Sequence, residues 1–258
     1  MGLKVCCLGS GSSGNCIYVA SASTVILIDQ GLPVKRVDGC LKALSAPAVP
    51  SVIVTHSHAD HICQIPAFVR KHGAAVYCAT PDAYLELARR GVPANRLIRT
   101  EGDFIVGDIT VSPFAVSHDV PCVGYGLYSG GCKVSVATDL GRAPERVLDG
   151  MADSDLVVLE CNHDEELVLG NAKYTAALKR RILSAKGHLS NAACGRAAVY
   201  LAEHGVRQII LAHLSKENNY PELAESAVRE ALAGAGCGRV RLEVAPPDRM
   251  TGLYEIIS

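Results

Sequence analysis

His56-Ser57-His58-Ala59-Asp60-His61 follows directly on the apolar run Ser51-Val52-Ile53-Val54-Thr55. Four donors of the kind that bind zinc and similar divalent ions stand within six residues, at the end of a segment that reads as a buried strand. Histidines crowded together without a metal desolvate one another and repel when charged, so packing explains the cluster poorly. A fold that carries it must bring a rigid strand end to a cleft and supply more donors there, because two neighbouring ions need about six or seven.

Three further apolar runs end in the same way. His118 follows residues 109–116 in Val116-Ser-His-Asp119, Asp139 follows 134–138 in Ala137-Thr-Asp-Leu140, and His213 follows 208–212 in Leu211-Ala-His-Leu-Ser215. Each alone is an ordinary turn residue; the repetition points to one site.

Short apolar runs bounded by Gly, Pro, Asn and Asp predict strands over 3–8, 16–20, 24–29, 51–55, 75–78, 103–106, 108–116, 123–128, 132–138, 155–160, 208–212, 240–244 and 251–256. Helical spacing predicts helices over 33–44, 62–72, 81–90, 172–184, 192–204 and 222–233. A strand-rich half with helices, followed by a second such half, implies an α/β (α+β) fold of two packed sheets flanked by helices, as one domain over 1–258.

Composition narrows the function classes. With 258 residues, 49% of them apolar, the chain can bury a substantial core and is not of the disordered type. A net charge of −1 gives no global attraction to nucleic acid, so such a partner has to be argued from a local site. Eleven cysteines without a C-x-x-C pair read as free thiols in a reducing cytoplasm, with Cys63 and Cys161 as small apolar filler. Met1-Gly-Leu-Lys-Val-Cys6 reads as neither secretory leader nor myristoylation signal, and no apolar run reaches membrane-spanning length, so no membrane partner is expected. Gly9-Ser-Gly-Ser-Ser-Gly-Asn15 either cradles phosphate through backbone N–H groups or closes a hairpin; with no Gly-Lys-Ser/Thr behind it, it is not a P-loop.

HxHxDH after a strand, followed by His, Asp and His at successive strand ends, resembles the metallo-β-lactamase superfamily. The resemblance implies an αββα sandwich of two mixed sheets and two divalent metal ions, Zn or Mn, with Fe also admitted by the ligand types. It implies that His56, His58 and His118 bind one ion, Asp60, His61 and His213 the other, and that Asp139 bridges them. Asp29, in Ile26-Leu-Ile-Asp-Gln-Gly31, matches the superfamily's first-motif aspartate, which orients the cluster from behind.

Ser10-Gly-Ser-Ser-Gly-Asn15, Glu160-Cys-Asn-His-Asp164, Lys186-Gly-His-Leu-Ser-Asn191 and His213-Leu-Ser-Lys-Glu-Asn-Asn219 carry the resemblance over nearly the whole chain to the YycJ/WalJ/VicX family. Its members are regarded as nucleic-acid phosphodiesterases, usually DNA 5′-to-3′ exonucleases, so the resemblance implies a nucleic-acid substrate, DNA rather than RNA. The family commonly continues DHxxG; Asp60-His-Ile-Cys-Gln64 departs from this at a position that touches helix packing more than ligation.

Paired divalent ions suit a phosphodiester, because they activate water and neutralise phosphoryl oxygens as charge builds. The leaving alkoxide still needs a proton. His188, which starts a helix, is the candidate donor, and Glu160, at the end of a buried strand, would hold it protonated; both join Asp60 as catalytic candidates. Related tRNase Z enzymes show a similar Glu–His pairing, and His188 precedes His213 by 25 residues, in keeping with it. Ser12, Ser13, Asn15, Ser190, Asn191, Ser215, Lys216, Asn218 and Asn219 are candidate substrate contacts, since short hydroxyl and amide groups grip phosphate and sugar without reading sequence. Arg70-Lys71, Arg89-Arg90 and Lys179-Arg-Arg181 read as solvated helix faces in preference to a basic track, and His72 and His204 as C-terminal helix caps. His163 and Asp164 divide between site rim and loop structure.

Two rival readings remain open on the residues. A thioester or lactone hydrolase of the glyoxalase II type tolerates the bridging aspartate, but 45 residues after His213 leave little for a glutathione-binding domain. A non-catalytic regulatory protein that binds a nucleotide or nucleic acid has no need of seven metal donors. Asp139 to His213 spans only 74 positions, so no inserted β-CASP domain of the RNase J type is expected, and a broad cleft for loosely structured nucleic acid is.

Overall fold

Strands that are apolar on both faces must be covered on both. In the computed structural model, which describes residues 2–46 and 48–257, this requirement is met by four layers. Met1, where the leader reading begins, lies outside the described residues. The strands are β1 (Leu3–Gly9), β2 (Cys16–Ala20), β3 (Val25–Ile28), β4 (Ser51–Val54), β5 (Val76–Cys78), β6 (Leu97–Arg99), β7 (Phe104–Val106), β8 (Ile109–Val116), β9 (Cys122–Ser129), β10 (Cys132–Ala137), β11 (Leu156–Glu160), β12 (Gln208–Ala212), β13 (Arg241–Val244) and β14 (Tyr254–Ile256). The described residues form two seven-stranded sheets, ordered β14-β1-β2-β3-β4-β5-β6 and β13-β12-β11-β10-β9-β8-β7. Helices α1 (Val34–Ala43), α2 (Ala59–Ile62), α3 (Ile65–His72) and α4 (Pro81–Arg89) belong to the first half of the chain. The second half carries α5 (Glu145–Met151), α6 (Glu165–Gly170), α7 (Ala176–Ile182), α8 (Asn191–Glu203) and α9 (Pro221–Gly234).

Alternation along each strand sorts its side chains between layers. In β4, Ile53 points into the core shared with the second sheet, while Val52 and Val54 meet Phe68 and Leu87 of the outer helices. In β11, Leu156 and Val158 face inward, and Val157 and Leu159 meet Leu201 and Val228 of α8 and α9. Each such side chain, fully buried, stabilises the fold by roughly 1.5–3 kcal/mol. The architecture is the αββα sandwich of the metallo-β-lactamase type, in the α/β class.

Strand direction then places the site. β1–β2 and β2–β3 are antiparallel and β3–β4 is parallel, so β1, β3 and β4 all end at one edge. β8–β9 and β9–β10 are antiparallel and β10–β11–β12 are parallel, so those four ends also coincide. Asp29, His56, His118, Asp139, Glu160 and His213 stand at or just past these ends.

Several elements differ from expectation. The helix expected over 62–72 is two pieces, because Pro66 in the first turn of α3 has no N–H for a continuous ladder. α2 starts earlier, inside the histidine cluster. The helix expected over 172–184 shortens to α7, which Thr175 starts by accepting from the Leu178 amide. Strand β6 and helices α5 and α6 were not singled out. Thr251 is a pin rather than a strand residue: its amide donates to the Cys7 carbonyl and its hydroxyl accepts from the Cys7 amide, both at 3.0 Å. No described helix is long and apolar enough to cross a membrane.

Candidate metal centre

All seven expected ligands converge. Ligand atoms of His56, His58 and His118, of His56, His61 and Asp139, and of Asp60, His61 and His213 lie within 4.8 Å of one another in each group. His56 leaves β4 with Nδ1 against the Thr55 hydroxyl at 3.0 Å, which turns Nε2 into the centre. That Nε2 and the Asp139 Oδ2 are both buried and have no hydrogen-bond partner among the described residues. A buried imidazole nitrogen and a buried carboxylate oxygen without hydrogen bonds are expensive to keep, and a divalent cation satisfies both. The residues present therefore fit a pair of such ions.

Two buried carboxylates orient the imidazoles. Asp29 accepts from the Thr55 amide (2.9 Å), the Thr55 hydroxyl (2.7 Å) and His61 Nδ1 (2.7 Å), so His61 turns Nε2 toward Asp60 and Asp139. Glu160, with no exposed surface, accepts four hydrogen bonds: from the Leu140 amide (3.0 Å), the Leu189 amide (2.9 Å), His188 Nδ1 (2.9 Å) and His213 Nδ1 (2.8 Å). Burial pushes the Glu160 carboxyl up, but the facing His188 and His213 imidazoles outweigh it and hold the group at about 2. Burial likewise pulls the His188 imidazole down, and Glu160 reverses this, leaving it above its ordinary value. Asp29, Asp139 and His213 adopt left-handed backbones, with φ of 60°, 58° and 58°. Residues with a Cβ rarely do so, and functional sites are where such strain collects.

The loops around Asp60 are laced through their backbones. Asn15 donates to the Asp60 carbonyl (2.9 Å), Gly31 to the Asn15 carbonyl (2.9 Å) and Gln30 to the His61 carbonyl (2.8 Å). A Cβ on Gly31 would collide with the Asp60 carbonyl, so this approach requires glycine. The departure at Gln64 has no such consequence, since its φ of −99° suits any residue.

The centre opens on a cleft of about 260 Å³ whose walls include Ser12, His58, Asp60, Arg181, His188 and Ser215. Two larger cavities flank it. One, of about 600 Å³, meets the cleft at His188. The other, of about 650 Å³, meets it at Ser12 and Ser215 and also holds Ser13 and Lys216.

The four asparagines among the candidate substrate contacts are engaged within the protein, and Asn219 also lines the 650 Å³ cavity. Asn15 is buried, its amide oxygen accepting from Ser10 Oγ (3.1 Å) and the Gly11 amide (2.9 Å), with Nδ2 3.3 Å from Asp60 Oδ2. Asn191 and Asn219 exchange amide hydrogen bonds at 3.1 and 2.8 Å, and Asn219 also donates to the Cys161 and Asn162 carbonyls. Asn218 accepts from Asn171 Nδ2 at 2.7 Å. The polar atoms of Asn191, Asn218 and Asn219 tie the segments after β11 and β12 together, because a buried amide must find partners. Ser190 caps α8 and donates to Glu165 Oε1 (2.7 Å), and its side chain also forms part of the 600 Å³ cavity.

Sequence reasoning missed two site residues. Asp119 Oδ1 lies 3.2 Å from both His58 Nε2 and His118 Nε2, and its Oδ2 lies 3.3 Å from Arg181 Nη2. Its position directly after His118 was the available signal. Arg181 was read as a solvated helix residue, yet α7 turns it into the cleft. The other basic groups do match that reading: Lys71 pairs with Asp38, and Arg89 and Arg90 with Glu86, outside the first sheet. Asp164 caps α6, and His163 is buried in the wall of the 600 Å³ cavity. The Cys63 thiol donates to the Gly31 carbonyl and the Cys161 thiol to Asn191, and among the described residues neither cysteine belongs to a ligand group. His72 and His204 end α3 and α8, His72 bonding Asp38 and His204 the Tyr200 carbonyl.

Comparison with known proteins agrees with this geometry. Residues 24–214 match the Beta-lactamase superfamily domain. Exodeoxyribonuclease YycJ of Bacillus anthracis is 34% identical over 244 residues, 92% of each chain. Exodeoxyribonuclease WalJ of Streptococcus pneumoniae is 31% identical over 99% of each chain. Among solved structures, the metallo-beta-lactamase fold protein YhfI from Bacillus subtilis superposes with a TM-score of 0.74 at 19% identity, over 99% of this chain and 100% of that one. The last is a likeness of fold alone.

Proposed function

The chain belongs to the YycJ/WalJ family of the beta-lactamase superfamily, and on that premise we propose that it is a dinuclear metal-dependent phosphodiesterase that digests DNA from the 5′ end. The observation that carries this is the hydrogen bond of 2.9 Å between Glu160 and His188 beside the seven-donor cluster. The donors alone suit hydrolysis in general; a held imidazolium beside them suits a reaction whose leaving group is an alkoxide.

In this reading His56, His58 and His118 hold one ion, Asp60, His61 and His213 the other, and Asp139 both, with Zn or Mn as the native metal. Such ions supply an activated water and neutralise phosphoryl oxygens. Asp29 and Glu160 fix His61 and His213 in the tautomer that leaves Nε2 free. Glu160 keeps a proton on His188, which passes one to the leaving oxygen. Arg181 offers a guanidinium to the phosphate from the cleft wall, and the Ser12 and Ser215 hydroxyls face the same space. We take the chain as one domain without a β-CASP insertion; β14 pairing with β1, which ties the two ends of the fold into one sheet, supports this. Eleven cysteines, all free, suit a reducing cytoplasm.

The test is elemental analysis of the purified protein, coupled to cleavage of end-labelled, 5′-phosphorylated DNA and RNA, single- and double-stranded. Zn²⁺ or Mn²⁺ should support hydrolysis without Mg²⁺, and His58→Ala and Asp139→Ala should each abolish it. Failure to cleave any of these substrates with either metal loaded overturns the reading. Faster turnover of S-lactoylglutathione than of DNA favours the thioester hydrolase instead.

A further inference from the structure

The 600 Å³ cavity behind His188 is of a size to take one nucleotide. Among the described residues His188 alone lines both this cavity and the metal cleft. Arg142, just past β10, and Arg196, on α8, stand exposed in its wall, and neither has an ion-pair or side-chain hydrogen-bond partner among the described residues. The one carboxylate in the wall, Glu165, is engaged by Ser190 at 2.7 Å. Leu148, Leu183 and Ala197 supply apolar surface between them.

We propose that this cavity receives the 5′-terminal nucleotide of the strand, with its 5′-phosphate on Arg142 and Arg196 and its base against the apolar wall. The proposal rests on the nuclease reading and adds a substrate end to it. The reaction decides which fragment lies there. Water oxygen bonds to phosphorus, and the bond from phosphorus to the terminal nucleotide's 3′-oxygen breaks. The electron pair stays on that oxygen, which takes its proton from His188. The oxygen that is protonated must sit beside His188, so the nucleoside that bears it occupies the space beyond. Digestion from the 5′ end puts a single nucleotide there, released as a nucleoside 5′-monophosphate; digestion from the 3′ end would put the long strand there. Two free guanidiniums suit a terminal phosphate, which each can bind through two parallel N–H groups.

Calorimetric titration of the metal-loaded protein with thymidine 5′-monophosphate and with thymidine tests this. The monophosphate should bind about 10- to 100-fold more tightly, as hydrogen bonds to a charged group warrant, and Arg142→Ala with Arg196→Ala should remove that margin. Arg196→Gln alone should remove part of it. The rate ratio between 5′-phosphorylated and 5′-hydroxyl oligonucleotides should collapse in parallel. A margin that survives in the double variant, as it would if the metals alone held the phosphate, overturns the pocket; so does a wild type without a margin. An arginine-dependent margin in a protein that digests no DNA supports the pocket and overturns the nuclease reading instead.

Discussion

The two sheets build their halves of the site by the same device and use it differently. In each, one buried carboxylate at a strand end grips a backbone amide and the Nδ1 of an imidazole: Asp29 with Thr55 and His61, Glu160 with Leu140, Leu189 and His213. Asp29 stops there. Glu160 reaches one imidazole further, to His188, which is not among the expected ligands. The same support that orients an expected metal ligand in one sheet thus also holds, in the other, the imidazole proposed as proton donor. In the proposed reading, support and catalysis are separable on the side of the first sheet and fused on the side of the second.

The strongest way to break that contrast is to compare Glu160→Gln with His188→Ala. Loss of the proton donor alone should lower kcat about 10²- to 10⁴-fold with two metals retained per chain. Glu160→Gln should lower kcat at least as far and shed metal as well, because His213 loses its hold. Single-turnover rates with elemental analysis read both effects; a His188→Ala protein that loses metal equally would refute the division. Next in size, Asp29→Asn should weaken metal binding about 10- to 100-fold, with kcat restored by excess metal. A kcat that stays low at saturation would mean that Asp29 does more than orient.

The smallest effect lies away from the site and sharpens the contrast from outside. Asp38 joins α1 to α3 through Lys71 and His72. Burial raises its pKa, but Lys71 and His72 together outweigh this and hold it below the ordinary carboxylate value. A depressed folded pKa means that the stabilisation is present above the unfolded value, about 3.9, and fades as pH falls through the folded one. Asp38→Asn should therefore lower the urea midpoint at pH 6 by the equivalent of about 0.5 kcal/mol, and the two proteins should converge as the pH falls through the folded value. A gap that persists in acid would assign the loss to packing.

How far the sequence was legible follows the same division. The first sheet's donors were readable because four of them lie on one strand end and the turn behind it, where spacing alone reports proximity. His118, Asp139 and His213 were readable only as a repeated pattern of apolar run and polar end. Glu160 was already paired with His188; that it also holds His213, 53 residues away, depends on β11 lying beside β12, which no local pattern records. The asparagines were legible as polar residues beside a motif, but their burial and mutual hydrogen bonds were not, because no local pattern reports them. Helices α5 and α6, of seven and six residues, are too short for a periodic signal. Arg181 was hidden in a charged trio whose other members do not enter the cleft.

The left-handed backbones at Asp29, Asp139 and His213 set how this molecule can evolve. Asn and Gly occupy that conformation with least strain, and β-branched replacements with most, on top of whatever chemistry is lost. A lineage drifting toward a new substrate meets a double penalty at the floor of its cleft and almost none along the walls, where Arg142, Arg196 and Lys216 are exposed. Divergence from this ancestor should therefore show first in what the cavities accept, long before it touches the metal chemistry.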